Sequence, residues 1–341
     1  MATLRHHSFT SSSESSGQAL RPYELIVVVF LGICFYLAAF TFVIERPLTI
    51  DAIGAYIQYK VDYLASIRGQ RKIAIFAGSN GRYSHRCETI AEQSGIACAN
   101  LSSAAGFDLQ WQMSRYWPYL ERGDILYMPL EYWPLLPPGA KIGSEAPYVV
   151  RRAHASLVMY SPSQLTFALF YFDIRYFFSG IGEMVLQRAG IQRRTSVRSM
   201  TASGDERGAT SEKAIAYRPY IQSLPAPSAN VDDYDDPVSN AAVASIIDTA
   251  KAKGIIVVGG LPTFFADGIV PAAVIERLRA LYERHGACFL VLPNHSQYPR
   301  SAFFDTEYHL QETAQIAHSA ALAPRLAEIS RGASCSALTP K

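Results

Sequence analysis

Apolar positions fall along the chain in three different rhythms. The first is unbroken: residues 25–44 are twenty positions without a charge, closed by Glu24 and Glu45. At 1.5 Å per residue such a helix crosses the hydrocarbon of a bilayer. It is long for the core of a signal peptide, and no small-x-small cleavage pattern follows it. It reads as an uncleaved signal anchor over 23–45. Residues 1–22, rich in Ser, His and Thr, read as a disordered tail. The second rhythm is helical. Ile53, Tyr56, Ile57, Val61 and Leu64 share one helical face, which predicts a stalk helix over 46–70.

From residue 71 short apolar runs alternate with amphipathic ones. Strands are predicted over 73–77, 97–101, 124–129, 254–259 and 288–292. Helices are predicted over 83–94, 109–120, 271–285 and 310–326. Strand-then-helix order implies an α/β domain over 71–330 with a parallel sheet covered on both faces. Ligands of such sheets bind beyond the carboxyl ends of the strands. The rhythm is interrupted over 135–240, a predicted helical insertion. It opens on Pro137-Pro138-Gly139 and carries an aromatic run over 165–178, either packed on the core or facing the bilayer. Residues 193–240 read as a polar loop with an acidic run at 232–236, and 331–341 as a tail.

Composition adds two constraints. Over 341 residues the formal net charge is +2, so no global field favours nucleic acid. The five cysteines form no Cys-x-x-Cys pair and there is no His cluster, so neither a metal nor another cofactor is expected. Cys87 and Cys98 either pair, as an oxidising compartment allows, or stand as two buried thiols. Arg5 and Arg21 precede the span while Arg46 and Lys60 follow it, a nearly balanced count. A short polar tail before a large domain favours an inside amino terminus and a translocated domain.

The candidate chemistry lies at the two ends of the domain. In Ile73-Ala74-Ile75-Phe76-Ala77-Gly78-Ser79-Asn80-Gly81 an apolar strand stops at a corner, which lifts Ser79 to the mouth of the sheet. The backbone N–H of Ser79 is then available to a developing oxyanion. Near the other end, Phe304-Asp305-Thr306-Glu307-Tyr308-His309 sets an acid four residues before an imidazole. Ser79 as nucleophile, His309 as base and Asp305 as the group that orients it make a Ser-His-Asp site. A helical turn or a bulged loop would each put 305 beside 309. Asn80 and Glu131, which also follow strand ends, are candidate substrate contacts, with the turn itself as the other role for Asn80 and a pocket brace or a surface salt bridge as the others for Glu131. His85 and His295 read as polar surface in preference to alternative bases, and Arg82 as either a contact for an anionic substrate or a solvated helix charge.

These blocks resemble the SGNH/GDSL hydrolase superfamily, and most of all its membrane-anchored bacterial branch linked to exopolysaccharide acylation. The resemblance spans about residues 70–325 and rests on Gly78-Ser79-Asn80 and on Asp305 with His309. It implies an SGNH-hydrolase-like (flavodoxin-like) parallel sheet with helices on both faces. It also implies Gly106, in Ser102-Ser103-Ala104-Ala105-Gly106, as an oxyanion donor beside Ser79. The implied substrate is a polysaccharide such as cellulose, or an acyl-sugar. The implied partners are a multispanning membrane acyltransferase and a polysaccharide synthase. The implied location is the bacterial inner membrane, with the domain in the periplasm. A catalytically degenerate domain that binds glycan or scaffolds a synthesis complex is the other expectation. Two features depart from the family pattern. Asp-x-x-x-His replaces Asp-x-x-His, and Glu131 stands where an asparagine would donate a hydrogen bond, which an ionised carboxylate does not do.

Overall fold

The structure, a computed structural model, describes residues 21–44, 48–104, 106–132, 143, 145–170, 174–191, 196–230, 232 and 237–332. The expectations for residues 1–20, for the acidic positions 233–236 and for most of the carboxyl-terminal tail lie outside them.

Among the described residues seven strands occur in the order β1 (Lys72–Ile75), β2 (Ala97–Asn100), β3 (Ile125–Met128), β4 (Ile256–Gly260), β5 (Phe264–Phe265), β6 (Cys288–Leu290) and β7 (Gln297–Tyr298). Five of them form one parallel sheet in the order β2-β1-β3-β4-β6, while β5 and β7 pair by themselves, also in parallel. That order is the flavodoxin type of doubly wound sheet. Its direction reverses at β1 and β3, so a crevice opens beyond their carboxyl ends.

Twelve α-helices run α1 (Pro22–Ile44), α2 (Leu48–Ser66), α3 (Ser79–Ser84), α4 (Cys87–Ser94), α5 (Leu109–Tyr116), α6 (Ala146–Arg151), α7 (Pro162–Phe170), α8 (Ile174–Arg188), α9 (Ser211–Ser223), α10 (Pro237–Ala252), α11 (Ala272–Arg284) and α12 (Glu312–Ser330) among the described residues. The period-two alternation of the strands sorts them onto two faces. Ala74, Phe76, Leu126, Met128 and Val257 point to the side covered by α2, α5, α10 and α11. Ile73, Ile75, Ile125, Tyr127 and Val258 point to the side covered by α4 and α12.

Helix α1 is long and apolar enough to cross a membrane, with a mean hydropathy of 2.0 over Pro22–Ala39 and none of that stretch buried. A core helix would bury this surface, so the apolar side chains of α1 need a non-aqueous neighbour. Helix α8 lies against it. That contact brings part of the aromatic insertion to the same neighbourhood.

Several expectations need correction. The stalk does not stand clear of the domain, because α2 is part of its core. Tyr56, Ile57, Val61 and Leu64 are buried against the sheet. Lys60 of α2 donates to the carbonyls of Asn100 (2.6 Å) and Gly204 (2.8 Å), and burial drives its pKa well below the usual lysine value. The predicted helix over 83–94 is two helices, broken where His85 and Arg86 turn extended. His85 is not on the surface. It is fully buried, with Nδ1 3.1 Å from the Gly81 carbonyl and its ring edge-on to Tyr127 and His318. Arg82 is mostly buried too, paired with Glu206 and stacked over Tyr56 and Tyr83. The polar stretch after residue 193 contains α9, capped by Thr210, whose hydroxyl accepts from the Lys213 N–H. Before α9, residues 200–206 return to the sheet. Ser203 accepts from the Asn100 N–H at 2.7 Å, and Asp205 accepts from the Cys87 N–H at 2.8 Å and from Asn100 Nδ2 at 3.0 Å.

Cys87 and Cys98 form a disulfide that ties α4 to β2. Replacing both by serine is expected to lower stability by about 2–4 kcal/mol, read as the shift in urea midpoint against the oxidised chain. An unchanged midpoint would show that the bond is dispensable.

Burial also pushes the His85 pKa down to about 4 from 6.5, and that of the adjoining His318 well below its usual value. The unfolded chain therefore takes up protons below about pH 6.5 that the folded one refuses. Stability is expected to fall as pH drops from about 6.5 to about 4, by about 3 kcal/mol for His85 alone. Thermal melts across that range check this, and a melting temperature indifferent to pH contradicts it.

Candidate active site

Strand β1 ends at Ile75, and Gly78 starts a sharp corner into α3, with Ser79 as the first helical residue. The corner is held from three sides. Glu131, just past β3, is buried and accepts from the N–H of Gly78 (Oε2, 3.1 Å) and the N–H of Asn80 (Oε1, 2.8 Å). The Asn80 side chain donates to the Pro129 carbonyl at 2.9 Å and accepts from the Thr263 N–H at 3.1 Å and hydroxyl at 2.7 Å. From the loop after β2, the Ser102 hydroxyl accepts from the Ala77 N–H at 3.0 Å, and the Ser103 N–H donates to the Ala77 carbonyl at 3.2 Å. Gly81 meets this loop so closely that a Cβ there would lie 2.1 Å from Ser102 Oγ. The glycine is required by that approach, not by its backbone angles.

These contacts leave Ser79 itself uncommitted. Neither its N–H nor its hydroxyl makes a hydrogen bond among the described residues, and the side chain is half-buried. Ser79 thus has a fixed backbone and, among the described residues, a free hydroxyl.

The loop after the small sheet brings in the acid and the imidazole. His309 Nδ1 lies 2.7 Å from Asp305 Oδ1. The spacing is met by a loop and not by a helical turn. Phe303 and Leu310 pair as an antiparallel bridge, and the Phe304 N–H donates to the His309 carbonyl at 2.7 Å. With the Asp305 carboxylate as acceptor, the proton sits on Nδ1 and the Nε2 lone pair is left to act as a base.

Helix α3 joins the two halves. The His309 ring stacks on Tyr83, centroids 4.2 Å apart, and Tyr83 is four residues after Ser79 on the same short helix. Ser84 fastens the contact, its hydroxyl donating to the Tyr308 carbonyl at 2.7 Å. The Thr263 hydroxyl shares its one proton between Asn80 Oδ1 and the same Tyr308 carbonyl, 2.8 Å away. His309 is also within electrostatic reach of Glu131. Burial raises the Glu131 pKa, against the opposing pull of the Asn80 and Gly78 N–H groups and of His309. Ser79 and His309 are not hydrogen-bonded to each other.

The remaining candidates are placed differently. Asn80 and Glu131 spend their polar atoms on the corner, so both brace it. Gly106 lies in the turn after β2, exposed, at φ 99°. The residues of that turn that touch the corner are Ser102 and Ser103. Tyr83, Ser84, Thr263, Ser102 and Ser103 escaped the sequence reading. Only Tyr83 and Ser84 had a signal there, being one helical turn from Ser79. Among the described residues no group of three or more His, Cys, Asp or Glu side chains could hold a metal.

A cavity of about 220 Å3 opens beside this arrangement, walled by Tyr132, Phe264, Tyr308 and the segment 224–229. Comparison with protein-family models, with curated proteins and with solved structures finds no match to this chain.

Glu131→Gln keeps the size of the side chain but turns one acceptor into a donor that faces a backbone N–H. It is expected to cost about 1–3 kcal/mol, measured by chemical denaturation. A variant as stable as the parent would show that the brace contributes nothing.

Proposed function

We propose that the chain is a membrane-anchored SGNH-type serine esterase or O-acyltransferase that modifies an extracellular polysaccharide, with cellulose as one option. The observation that carries this reading is the seating of the His309–Asp305 pair on the helix that Ser79 opens. An uncommitted serine hydroxyl, an imidazole held in the base tautomer and a carboxylate behind it are the parts of a nucleophilic acyl-transfer site.

In this reading Ser79 Oγ attacks the acyl carbonyl while its proton passes to His309 Nε2. The oxyanion is met by the Ser79 N–H, with Gly106 as the further donor that the family resemblance suggests. Collapse expels the alcohol, which takes the proton from Nε2 and leaves acyl-Ser79. Water or a sugar hydroxyl then attacks, gives its proton to Nε2, and releases the product as Ser79 recovers that proton. Asp305 stabilises the imidazolium at each stage. Glu131 and Asn80 act on substrate only through the corner they brace.

An apolar α1 fits an inner-membrane anchor, and the Cys87–Cys98 disulfide fits an oxidising compartment such as the bacterial periplasm. A membrane acyltransferase of many spans would supply the acyl group, and a polysaccharide synthase the acceptor. Two observations favour a second reading, a glycan-binding or scaffolding domain without activity. Ser79 and His309 are not hydrogen-bonded, and the side chain at position 131 is no oxyanion donor.

A fluorophosphonate probe separates the two. The full chain in nanodiscs is expected to be labelled at Ser79. His309→Gln is expected to slow labelling by roughly 10^3-fold or more, and Asp305→Asn by a comparable factor. Ser79→Ala is expected to abolish it. Failure of the folded wild type to react would leave the binding reading.

A further inference from the structure

Three walls of the 220 Å3 cavity are chain neighbours of groups that build the site. Tyr132 follows Glu131, Phe264 follows Thr263, and Glu307 with Tyr308 lies between Asp305 and His309. The fourth wall comes from the insertion, at Leu224, Pro225, Pro227 and Ala229. We propose that this cavity receives the apolar tail of the transferred acyl group and sets its length, a specificity that rests on the esterase reading above.

The lining argues for an acyl tail over a sugar. Sugar hydroxyls need several donors and acceptors, whereas this lining is mostly apolar, with Tyr132, Tyr308, Ser228 and Glu307 as its residues that carry polar side-chain atoms. Tyr132 packs edge-on to Phe264, centroids 5.1 Å apart, and Phe264 lies 5.4 Å from Tyr308. Pro225 and Pro227 bring no N–H to the insertion wall. The carboxylate at the cavity is Glu307, which disfavours an anionic tail. A cavity of about 150 Å3 holds a benzene ring. The larger volume here suits a neutral chain of about six carbons. Each methylene moved from water into such a site tightens binding about four-fold.

The insertion wall is held rigid, as a length gauge requires. The Arg300 guanidinium donates to the carbonyls of Ile221 (2.6 Å) and Leu224 (2.9 Å), grips Asp267 with Nε and Nη2, and lies 4.4 Å over the Phe265 ring. The Ala229 N–H donates to the Ile269 carbonyl and the Ile269 N–H to that of Pro227, both at 2.9 Å.

The test uses the full chain in nanodiscs with 4-nitrophenyl acetate, butyrate, hexanoate and octanoate. Ser228, exposed at the cavity rim, is replaced by tryptophan to fill the opening without disturbing the core. The wild type is expected to prefer hexanoate over acetate in kcat/KM. Ser228→Trp, and separately Ala229→Leu, is expected to lower that ratio ten-fold or more. An unchanged ratio in chains still labelled at Ser79 overturns the cavity's role and leaves the esterase reading standing. If the wild type is not labelled, the esterase reading fails by itself. The cavity is then judged by ligand-detected NMR with hexanamide. Binding that Ser228→Trp removes supports an apolar-tail site, and absence of binding to wild type overturns it.

Discussion

A buried carboxylate between two backbone N–H groups holds this site together. Glu131 leaves water to accept from Gly78 and Asn80, the residues on either side of Ser79. Removing a carboxylate from water is costly unless charge-assisted hydrogen bonds replace the lost hydration, and here backbone donors do so. The corner in turn has N–H groups that no strand or helix satisfies, and the carboxylate answers two of them. Each partner therefore requires the other, and Ser79 between them keeps its own N–H and hydroxyl free.

Around that interaction the doubly wound topology does the assembling. Its switch point falls between β1 and β3, so residues after both strands meet in one crevice. Asn80 extends the tie to the loop after β4 through Thr263, and Tyr308 binds Thr263 and Ser84 to the loop that carries Asp305 and His309. A chain of hydrogen bonds thus runs from the end of β1 to the imidazole. The catalytic geometry proposed above is a property of loops held by a rigid sheet. Such loops tolerate sequence change except where a bond of this chain is lost.

Behind α3 the polar groups are buried away from water. His85 and His318 sit edge-on with burial holding both neutral. Lys60, Asn100, Asp205 and the carbonyl of Gly204 form a second network between α2, the edge strand β2 and the insertion. These networks make α2 and residues 200–206 parts of the domain. They also explain why helix prediction stumbled at residues 85–86. His85 folds its ring under α3 onto Gly81, and the Arg86 N–H turns to Ser319 of α12 at 2.7 Å, so the helix breaks for tertiary reasons.

Periodicity in the sequence was enough for the apolar span and the five parallel strands, turn chemistry for the corner after the first strand, and a short acid-to-imidazole spacing for the contact between Asp305 and His309. Each of these is a local pattern of burial or turn chemistry written over a few neighbouring residues. Three-dimensional packing decided what those residues touch. It gave Glu131 and Asn80 the part of braces at the corner, put Ser102 and Ser103 against that same corner, and sank His85 and α2 into the core. It also chose the disulfide over two separate thiols. The reason is the same in every case. Apolar spacing reports which face of an element is buried, but a polar side chain is defined by its partner. These partners lie 51 residues away for Glu131 and Asn80, 183 for Asn80 and Thr263, and 224 for Ser84 and Tyr308. Only the folded chain brings such distances down to hydrogen-bond length.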